Sequence, residues 1–557
     1  MNAKKLRAAI AAVLVTVSPL AHAASEQQNL EELRNTVVNL LQALVDQGLM
    51  TREKAAALVK QAQDKAAADA VAADKRDAGA VRVPYVPQVV KDDIARQVAT
   101  EVKPAVVEGV VAQAKSEGWG VPGAMPEWLH RTQVIGDVRV RAQGDFFPSD
   151  NSGQIPDYNA INAAGGVQKA GPSANLNTTT DNERLRIRAR IGIETSWDEN
   201  WRSTVRLATG NASDPGSESQ TLGASGGRYA VGFDLASITY EQRDAAKFPL
   251  FTVNAGRMLN PWFSPTELDF ARDLTFDGVS VTGRHAFGDP VPGTQRSSAY
   301  VTLGVFPLQN VTLSPTNSKW LVAGQIGGEL QMDDADRLRA GFAYYDFVRV
   351  TGIAYDTPVS SAAFNPYSYT APQFVRYGNT MFPIAVSSSD FSALQYGLAS
   401  RFRLLDLAAS YEHSFGRYQL GLNAQAVRNI GYDANDIARR VGAHRESGNK
   451  GYVFELGFGD PQADHAGAWR TSLGYRYVQR DAVLDSWTDA DFRLGGTNAK
   501  GYYLVGDFGL ATRTWIRLRY LAADSILPPS DQELTGIGRK GIGYGVDVVQ
   551  IDLNTRF

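Results

Sequence analysis

The stretch ERLRIRARIGIE, residues 183–194, alternates arginine with aliphatic side chains without a break. In a β-strand, this period of two places the two kinds of side chain on opposite faces. One face must then meet water and the other must meet an apolar medium. A charged side chain on the lipid face of a barrel costs about 2–4 kcal/mol near the bilayer midplane. If the apolar medium is lipid, the arginines must therefore point into a water-filled interior.

The same alternation continues from Thr132 to the end of the chain. It divides into about sixteen segments of the ~9–15 residues that a tilted spanning strand requires. They begin near residues 133, 183, 200, 230, 249, 275, 297, 319, 337, 399, 417, 450, 467, 499, 513 and 543. The region 393–414 can also be split into two strands. We treat it as one, because splitting it would reverse the order of loop lengths that follows.

The gaps between the segments alternate between long and short. Long gaps such as 147–181 and 349–390 are rich in Gly, Pro, Ser and Asn, whereas the intervening gaps are as short as DEN or FG. Long external loops that alternate with short periplasmic turns are typical of an outer-membrane β-barrel, and single-chain bacterial barrels have an even number of strands. The sequence therefore predicts an all-β membrane protein, an antiparallel transmembrane β-barrel of sixteen strands over 132–557.

The chain begins with a predicted signal peptide, residues 1–23. Lys4, Lys5 and Arg7 precede an apolar run that ends near Leu20, followed by Ala-His-Ala, a typical cleavage site. After it, no apolar run reaches the ~18 residues that a spanning helix needs. The protein is therefore expected to be exported, with the outer membrane as its destination and its N-terminal segment in the periplasm.

Residues 24–80 are predicted to form an α-helical, coiled-coil segment. Their apolar residues recur at spacings of three and four, as in a coiled-coil seam: Leu30, Leu33, Val37, Leu40 and Leu44. This seam favours self-association, with a homotrimer as the expected state, but a helical hairpin that packs on itself remains an alternative. Residues 81–131 are predicted to be a linker, extended at Pro84 and Pro87, with an amphipathic helix.

Composition argues against an enzyme and against nucleic-acid binding. There are no cysteines, and the 6 histidines are scattered without metal-ligand spacing. Only Glu412, His413 and Ser414 bring suitable residue types together, and no partner is predicted for them. The net charge is only −3, and the arginines alternate with aliphatic rather than stacking aromatic residues. We expect no catalytic activity, no cofactor, no metal and no nucleic acid.

Eight arginines of the first three strands are predicted to line the lumen. Their neighbours of opposite parity are aliphatic or aromatic, which assigns to the inner face Arg139, Arg141, Arg184, Arg186, Arg188, Arg190, Arg202 and Arg206. Later strands repeat the pattern at Arg337, Arg339, Arg470, Arg476, Arg480, Arg513, Arg517 and Arg519. Such a ladder would set the field across a pore and give a mild preference for anions. Alternatively, the arginines pair with carboxylates and simply stiffen the wall.

Several stretches resemble the putative-porin family of Gram-negative outer membranes, which resembles general porins in its sixteen strands. They are WGVPGAMPEWLHRTQVIGDVRVRA, ERLRIRARIGI, AGRMLNPW and DLTFDGVSVTG, together with LVDQGLMTREKAAALVKQA near the N-terminus. The resemblance implies a periplasmic helical segment before the barrel and a channel for small hydrophilic solutes and ions. It also implies that the third long loop, residues 260–274, folds into the barrel and narrows it. Glu267, Asp269 and Asp273 would then supply an acidic side opposite the arginines.

The last strand, VDVVQIDLNTRF, ends on a bare aromatic residue. Phe557 shares its parity with Val549, Ile551 and Leu553, which places it on the lipid face at the membrane edge. By resemblance to outer-membrane proteins, this residue is the signal that the barrel-assembly machinery reads. Two other functions remain open: a channel specific for one substrate, and a structural protein whose N-terminal segment binds peptidoglycan or a periplasmic protein.

Overall fold

A computed structural model describes Lys60 and residues 130–210, 214–288, 296–312, 314–442, 448–526 and 543–557. All the elements below belong to the unit Gly118–Phe557. The predicted signal peptide, the coiled-coil segment and almost all of the linker lie outside the described residues. Within the described part of the chain, no helix combines the length and the apolar character that crossing a bilayer requires.

Sixteen antiparallel strands form a closed barrel, in which each strand pairs with the next and β16 pairs with β1. The number and topology predicted from the sequence are therefore confirmed, and each strand begins within three residues of its expected start. Their bounds are β1 Thr132–Phe146, β2 Asn182–Ser196, β3 Trp201–Thr209, β4 Val231–Arg243, β5 Pro249–Leu259, β6 Thr275–Ala286, β7 Ser298–Gln309, β8 Lys319–Gln331, β9 Asp336–Val348, β10 Phe402–Phe415, β11 Tyr418–Asn429, β12 Lys450–Gly459, β13 Trp469–Val478, β14 Ala499–Ala511, β15 Thr514–Ser525 and β16 Gly545–Arg556.

Two further pieces of β-structure lie outside this set of sixteen. The treatment of 393–414 as one strand was wrong in detail, because Ala393–Leu398 pairs with Met381–Val386 in a separate hairpin and the wall resumes only at Phe402. The short strand Gln220–Thr221 pairs with β2 beyond the end of β3. Because β3 ends at Thr209, this part of β2 would otherwise have no hydrogen-bonding partner on the side away from β1.

The seven connections of 15 residues or more all lie at one end of the barrel, here called the long-loop end, and the opposite end is called the short-turn end. The connections at the long-loop end are 147–181, 210–230, 260–274, 310–318, 349–401, 430–449, 479–498 and 526–544. They carry the helices α1 Tyr158–Ala164, α2 Val167–Ala170 and α3 Ala434–Val441, and the 3₁₀ turns Gly171–Ala174, Pro315–Asn317, Ala362–Phe364, Ser368–Thr370 and Phe492–Leu494.

The outer face of the wall is apolar, as the alternation predicts. Exposed side chains of this face include Leu185 on β2, Leu303 on β7 and Ile326 on β8, each more than half exposed. Aromatic residues gather toward its edges. At the short-turn end, the rings of Trp201 and Tyr240 lie 5.0 Å apart.

The interior differs between the two halves of the barrel. In the long-loop half, inward apolar side chains of the wall pack against the loops that fold into the lumen. For example, the ring of Phe270 in loop 260–274 contacts Tyr345 of β9 at 5.1 Å, and Trp487 of loop 479–498 contacts Phe347 at 5.4 Å. In the short-turn half the inward residues are polar or charged. The solvated interior is therefore concentrated there and along β1 and β2.

Candidate functional site

The arginines of β1 and β2 form a continuous charged wall inside the barrel. The two strands pair so that Arg139 lies opposite Arg188, and Arg141 lies opposite Arg186. All eight arginines assigned to the lumen from β1, β2 and β3 have the parity of the inner face. Guanidinium groups this close repel one another, so the wall requires carboxylates between them.

Arg141 is the most buried member of this wall. It is only 2% exposed and donates two hydrogen bonds to Asp552 of β16, from Nε to Oδ1 at 2.7 Å and from Nη2 to Oδ2 at 2.9 Å. Its Nη1 also pairs with Asp491 of loop 479–498 at 2.9 Å. Burial alone would raise the pKa of Asp491, but Arg141, Arg519 and Arg186 hold it well below its usual value. Arg141 thus connects the first strand, the last strand and a loop inside the lumen.

Arg188 and Arg190 follow Arg186 along the inner face of β2. Both pair with Asp137 of β1, at 2.8 and 2.5 Å. Arg188 also pairs with Asp273 of loop 260–274 at 2.9 Å, and Arg190 with Glu218 of loop 210–230 at 3.2 Å. These two arginines therefore join the wall to two loops that enter the lumen from different positions in the sequence.

The other arginines of the group differ in how well they are compensated. Arg184 pairs with Asp145 at 2.9 Å, Arg206 with Asp234 at 2.5 Å, and the more exposed Arg202 with Glu194 at only 3.7 Å. Arg186 lies 3.9 Å from Asp491. Arg139 differs from these arginines: its hydrogen bond goes to the hydroxyl of Ser219, and it forms no ion pair with a carboxylate of the described residues.

Loop 260–274 lies inside the barrel and is fixed to three separate strands. Phe263 exchanges two hydrogen bonds with Gln325 of β8, from its N–H at 2.8 Å and to its carbonyl at 3.0 Å. Gln425 of β11 donates to Asp269 at 2.8 Å, and Arg476 of β13 donates to the carbonyl of Glu267 at 2.9 Å. The loop therefore crosses the lumen from the β5–β6 hairpin to the opposite wall.

The three carboxylates of this loop lie in different surroundings. Asp273 lies beside the arginines, where burial would raise its pKa but Arg188, Arg139 and Arg190 lower it below its usual value. Glu267 lines a polar cavity together with Arg272, which lies 3.6 Å from it. Asp269 is 1% exposed and lies against β10 and β11. The arrangement expected from the sequence places all three opposite the arginines, whereas Asp273 is bonded to them directly.

Asp269 and Asp406 form a buried acidic pair without a cation among the described residues. The side-chain amide of Gln425 donates to both, at 2.8 and 3.0 Å, and the second oxygen of each carboxylate has no hydrogen-bond partner. Burial raises the pKa of Asp269 to about 6, against the opposing effect of hydrogen bonds that include those from Gln425 and Ser264. Two carboxylates this close in a dry site resist being ionised together.

This pair predicts that stability falls as pH rises. An aspartate in the unfolded chain titrates near pH 4, so the folded protein holds the proton of Asp269 more tightly. The stabilisation is fully present below about pH 4 and is lost as the pH rises through 6, by about 2–3 kcal/mol. We expect Asp269→Asn to reduce the fall in the free energy of unfolding between pH 4 and 7. Urea denaturation in detergent at several pH values measures this fall. Asp150→Asn, at an exposed loop position, should keep the wild-type slope. An unchanged slope in Asp269→Asn would contradict the assignment.

Two cavities meet inside the barrel. The first, called the arginine cavity, has a volume of about 550 Å³ and is lined by Arg139, Arg188 and Arg517 of the wall and by Glu267 of loop 260–274. The second, of about 490 Å³, lies nearer the long-loop end beside Lys319 and is called the Lys319 cavity. Ser217 and Asp273 line both cavities. Ser217 belongs to loop 210–230 and Asp273 to loop 260–274, so parts of these two loops lie between the cavities.

Sequence reasoning missed two carboxylates and one lysine of this site. Glu218, Asp491 and Lys319 lie in or next to long loops, whose path into the lumen carries no periodic signal. Two arginines of the later strands are corrected by the structure. Arg513 lies in the turn between β14 and β15, with a left-handed φ of 60°, because the hairpin needs that conformation there. Arg480 lies beyond the end of β13 and is buried among loops.

The one local triple of reactive residue types is split by the strand that carries it. Glu412 faces the lumen and pairs with Arg339 at 3.1 Å, whereas His413 faces outward and contacts Asp336 at 2.7 Å. Adjacent residues of a strand point to opposite faces, so the two side chains cannot act on one substrate. Among the described residues, no cluster of three or more histidine or acidic side chains is suited to a metal ion.

Comparisons with known proteins identify a family. A family model described as "Putative porin" matches residues 34–557. A search of the curated proteins found no match. Solved structures with similar folds include OprB of Pseudomonas putida at high pH (11% identity, TM-score 0.41, covering 77% of this chain and 96% of that chain). OmpF of Salmonella typhi in complex with daunomycin is 10% identical, with a TM-score of 0.38 and coverage of 78% of this chain and 100% of that chain. OmpT of Vibrio cholerae, an outer-membrane protein in trimer form, is 9% identical, with a TM-score of 0.37 and coverage of 76% of this chain and 99% of that chain. At these identities, no residue role is carried over from them.

Proposed function

Since the chain belongs to the putative porin family of outer-membrane channels, we propose that its barrel lets small hydrophilic solutes and ions diffuse passively, with a mild preference for anions. The observation that carries this proposal is the pair of neighbouring cavities inside a closed barrel, both lined by charged side chains and sharing Ser217 and Asp273. The short-turn end would face the periplasm and the long loops would face the exterior, as in other barrels of this kind.

The preference for anions rests on the charges that remain unpaired along this route. Most arginines of the wall are neutralised by a carboxylate, so their number alone overstates the field. Arg139 lines the arginine cavity and has no carboxylate partner in the described part of the chain. A unit charge about 8 Å from the path of an ion is worth about 0.5 kcal/mol in water. The same charge acts with opposite sign on a cation, and salt with a Debye length of about 8–10 Å roughly halves both effects. The anion-to-cation permeability ratio then changes by roughly twofold, which is the scale of a mild preference.

Single-channel recording in planar bilayers under a salt gradient tests the proposal. We expect an open channel whose reversal potential indicates anion preference. The Arg139→Gln variant should lose roughly a factor of two in the anion-to-cation permeability ratio. Because Arg139 leaves no ion-pair partner behind, this variant should assemble normally. Arg202→Gln is the matched control, since Arg202 lies near the short-turn rim and its side chain is 41% exposed.

The outcomes of this experiment separate the alternatives. Absence of conductance from a folded barrel would contradict a diffusion channel and favour a structural role, in which the N-terminal segment holds the barrel to peptidoglycan or to a periplasmic protein. Conductance blocked by one solute at low concentration would favour a substrate-specific channel. A cation-preferring wild type would contradict the role given to Arg139.

We also propose that the functional unit is a homotrimer. Support comes from the outer face of β1 to β5, where aliphatic side chains such as Val140, Ile191 and Val205 dominate. The tyrosine cluster near the long-loop ends of β12 to β14 contrasts with this face: Tyr452 and Tyr477 stack at 5.1 Å, and Tyr475 contacts Tyr502 at 4.8 Å. Tyrosines of this kind mark the boundary between lipid and water, so the tyrosine cluster suits contact with lipid and leaves the aliphatic face for a neighbouring subunit. Channel closure in three equal steps would support the trimer.

A further inference from the structure

The Lys319 cavity contains many carboxylates, and each of them has a partner. Five of the six carboxylates that line the cavity pair with an arginine, as Asp214–Arg376, Glu218–Arg190, Asp234–Arg206, Asp273–Arg188 and Asp277–Arg257. The sixth, Asp485, accepts hydrogen bonds from the backbone N–H groups of Arg376 and Asn379. Burial raises the pKa of Asp485 to about 6, which reduces its charge further. Arg188 and Arg190 also pair with Asp137, so the carboxylates on the acidic side of this cavity are compensated in large part and not one by one.

Lys319 is the exception in the same cavity. It is the only buried lysine among the described residues, at 5% exposure, and it lies on the inner face at the start of β8. Its Nζ donates to the carbonyl of Ala371 at 3.3 Å, and no carboxylate of the described chain forms an ion pair with it. An ammonium group without a counter-charge is costly to bury. The position therefore favours an anion that comes from outside the protein.

A second unsatisfied group lies beside Lys319. Gln309 is its direct partner across β7 and β8, and the buried Oε1 of this side chain has no hydrogen-bond partner. Oε1 is an acceptor, so in this orientation it attracts a donor; the amide must turn over before its two N–H groups can bind a carboxylate. Gln309 also lines the cavity. The ammonium of Lys319 is therefore the group that carries the preference for an anion.

The rest of the nearby wall is apolar. Phe306, Leu308 and Phe374 line the cavity near Lys319, with Val350 and Trp487. The volume of about 490 Å³ lies in the range of pockets that enclose small organic molecules. A simple inorganic anion would leave these aromatic and aliphatic surfaces wet. An organic anion with an apolar body would cover them.

We propose that the Lys319 cavity binds a small organic carboxylate with an apolar body, in which the ammonium of Lys319 pairs with the carboxylate group. This inference rests on the proposed channel function and deepens it, because it names a class of solute that binds inside the barrel during its passage. The cavity adjoins the arginine cavity, with which it shares the lining residues Ser217 and Asp273. An organic anion released from Lys319 would next meet the arginines of β1 and β2.

Binding of benzoate to the purified full chain in detergent tests this proposal. Calorimetry and the fluorescence of Trp487, which lines the cavity, would both report it. We expect a Kd below about 1 mM for benzoate, a level that one good ion pair with an enclosed ring can reach. Benzamide, which has the same shape without the charge, and acetate, which lacks the ring, should each bind at least about tenfold more weakly.

The Lys319→Met variant should lose at least about tenfold in benzoate affinity. Its midpoint of urea unfolding should equal or exceed that of the wild type, because the variant removes an uncompensated buried charge. Lys169→Met, at an exposed position of α2, should bind benzoate as the wild type does. Equal binding of benzoate and benzamide, full binding in Lys319→Met, or a lower unfolding midpoint in that variant would overturn the proposal.

The binding assay needs no conductance, so the two proposals can fail separately. Benzoate binding by a barrel that is silent in planar bilayers would uphold the Lys319 site and overturn the channel. An open channel without benzoate binding would overturn the site alone.

Discussion

Replacing Arg141 by methionine should lower the free energy of unfolding by about 3–5 kcal/mol, the usual cost of breaking a buried ion pair. The substitution leaves the charge of Asp552 without its partner, whereas Asp491 keeps its ion pair with Arg519 at 2.6 Å. Asp552 is 1% exposed, so water cannot replace the lost guanidinium. Because Arg141 and Asp552 are direct partners across β1 and β16, the loss falls on the seam that closes the barrel. Urea unfolding in detergent micelles, followed by tryptophan fluorescence, measures the effect.

Two further variants make this result specific to the buried pair. Arg202→Met removes an arginine from the same inner face, but its ion pair at 3.7 Å is long and exposed, so we expect a change below about 1 kcal/mol. The double variant Arg141→Met/Asp552→Asn removes both charges of the main pair and should recover part of the loss. Equal destabilisation by Arg141→Met and Arg202→Met would contradict the assignment of Arg141 as the central ion pair of the seam.

Deletion of Phe557 should sharply reduce the amount of heat-modifiable barrel in the outer membrane. In the structure, the N–H of Phe557 donates to the carbonyl of Gly136 at 3.0 Å, and its own carbonyl accepts from Gly136 at 3.2 Å. Losing these two bonds at the seam costs about 1–3 kcal/mol. We propose that the larger effect comes from losing the terminal aromatic that the barrel-assembly machinery binds. Normal levels of heat-modifiable protein in the deletion variant would refute this.

A substitution separates the two contributions of Phe557. Phe557→Ala keeps both backbone bonds to Gly136 and removes only the ring, so a defect in this variant must come from the side chain. The ring also lies against Gly136, where an added Cβ would lie 2.6 Å from its Cζ atom. Phe557→Tyr keeps the ring and should assemble better than Phe557→Ala, although its added hydroxyl is attached to the Cζ atom that lies against Gly136.

The wall of the barrel was predictable because one physical requirement acts on every second residue. Water inside and lipid outside force the alternation seen at Arg186, Ile187 and Arg188, and this local rule needs no knowledge of neighbouring strands. The order of long and short gaps then fixed the strand number. The segment 393–398 escaped this reasoning, because a buried hairpin inside a loop also consists of β-forming residues.

The contents of the barrel were harder to predict. The pairing of Asp273 with Arg188 joins residues that are 85 positions apart, and that of Arg141 with Asp552 spans 411 positions. No local pattern encodes such contacts. One signal was present but was not used: near the long-loop ends, strands such as β9 carry apolar residues at both parities, including Phe342, Tyr345 and Phe347. This pattern indicates that both faces of the strand are covered.

The apolar lining of the long-loop half has a consequence for the protein before it reaches the membrane. A typical barrel strand has one apolar face, but β9 has two near its end. Phe342 and Tyr344 point outward, and Tyr345 and Phe347 point inward. Its inner face is covered only when loops from distant parts of the chain have arrived. Until then, this segment has the composition that promotes aggregation between chains. The time for which the unassembled polypeptide avoids aggregation therefore depends on how soon a holding chaperone covers this region.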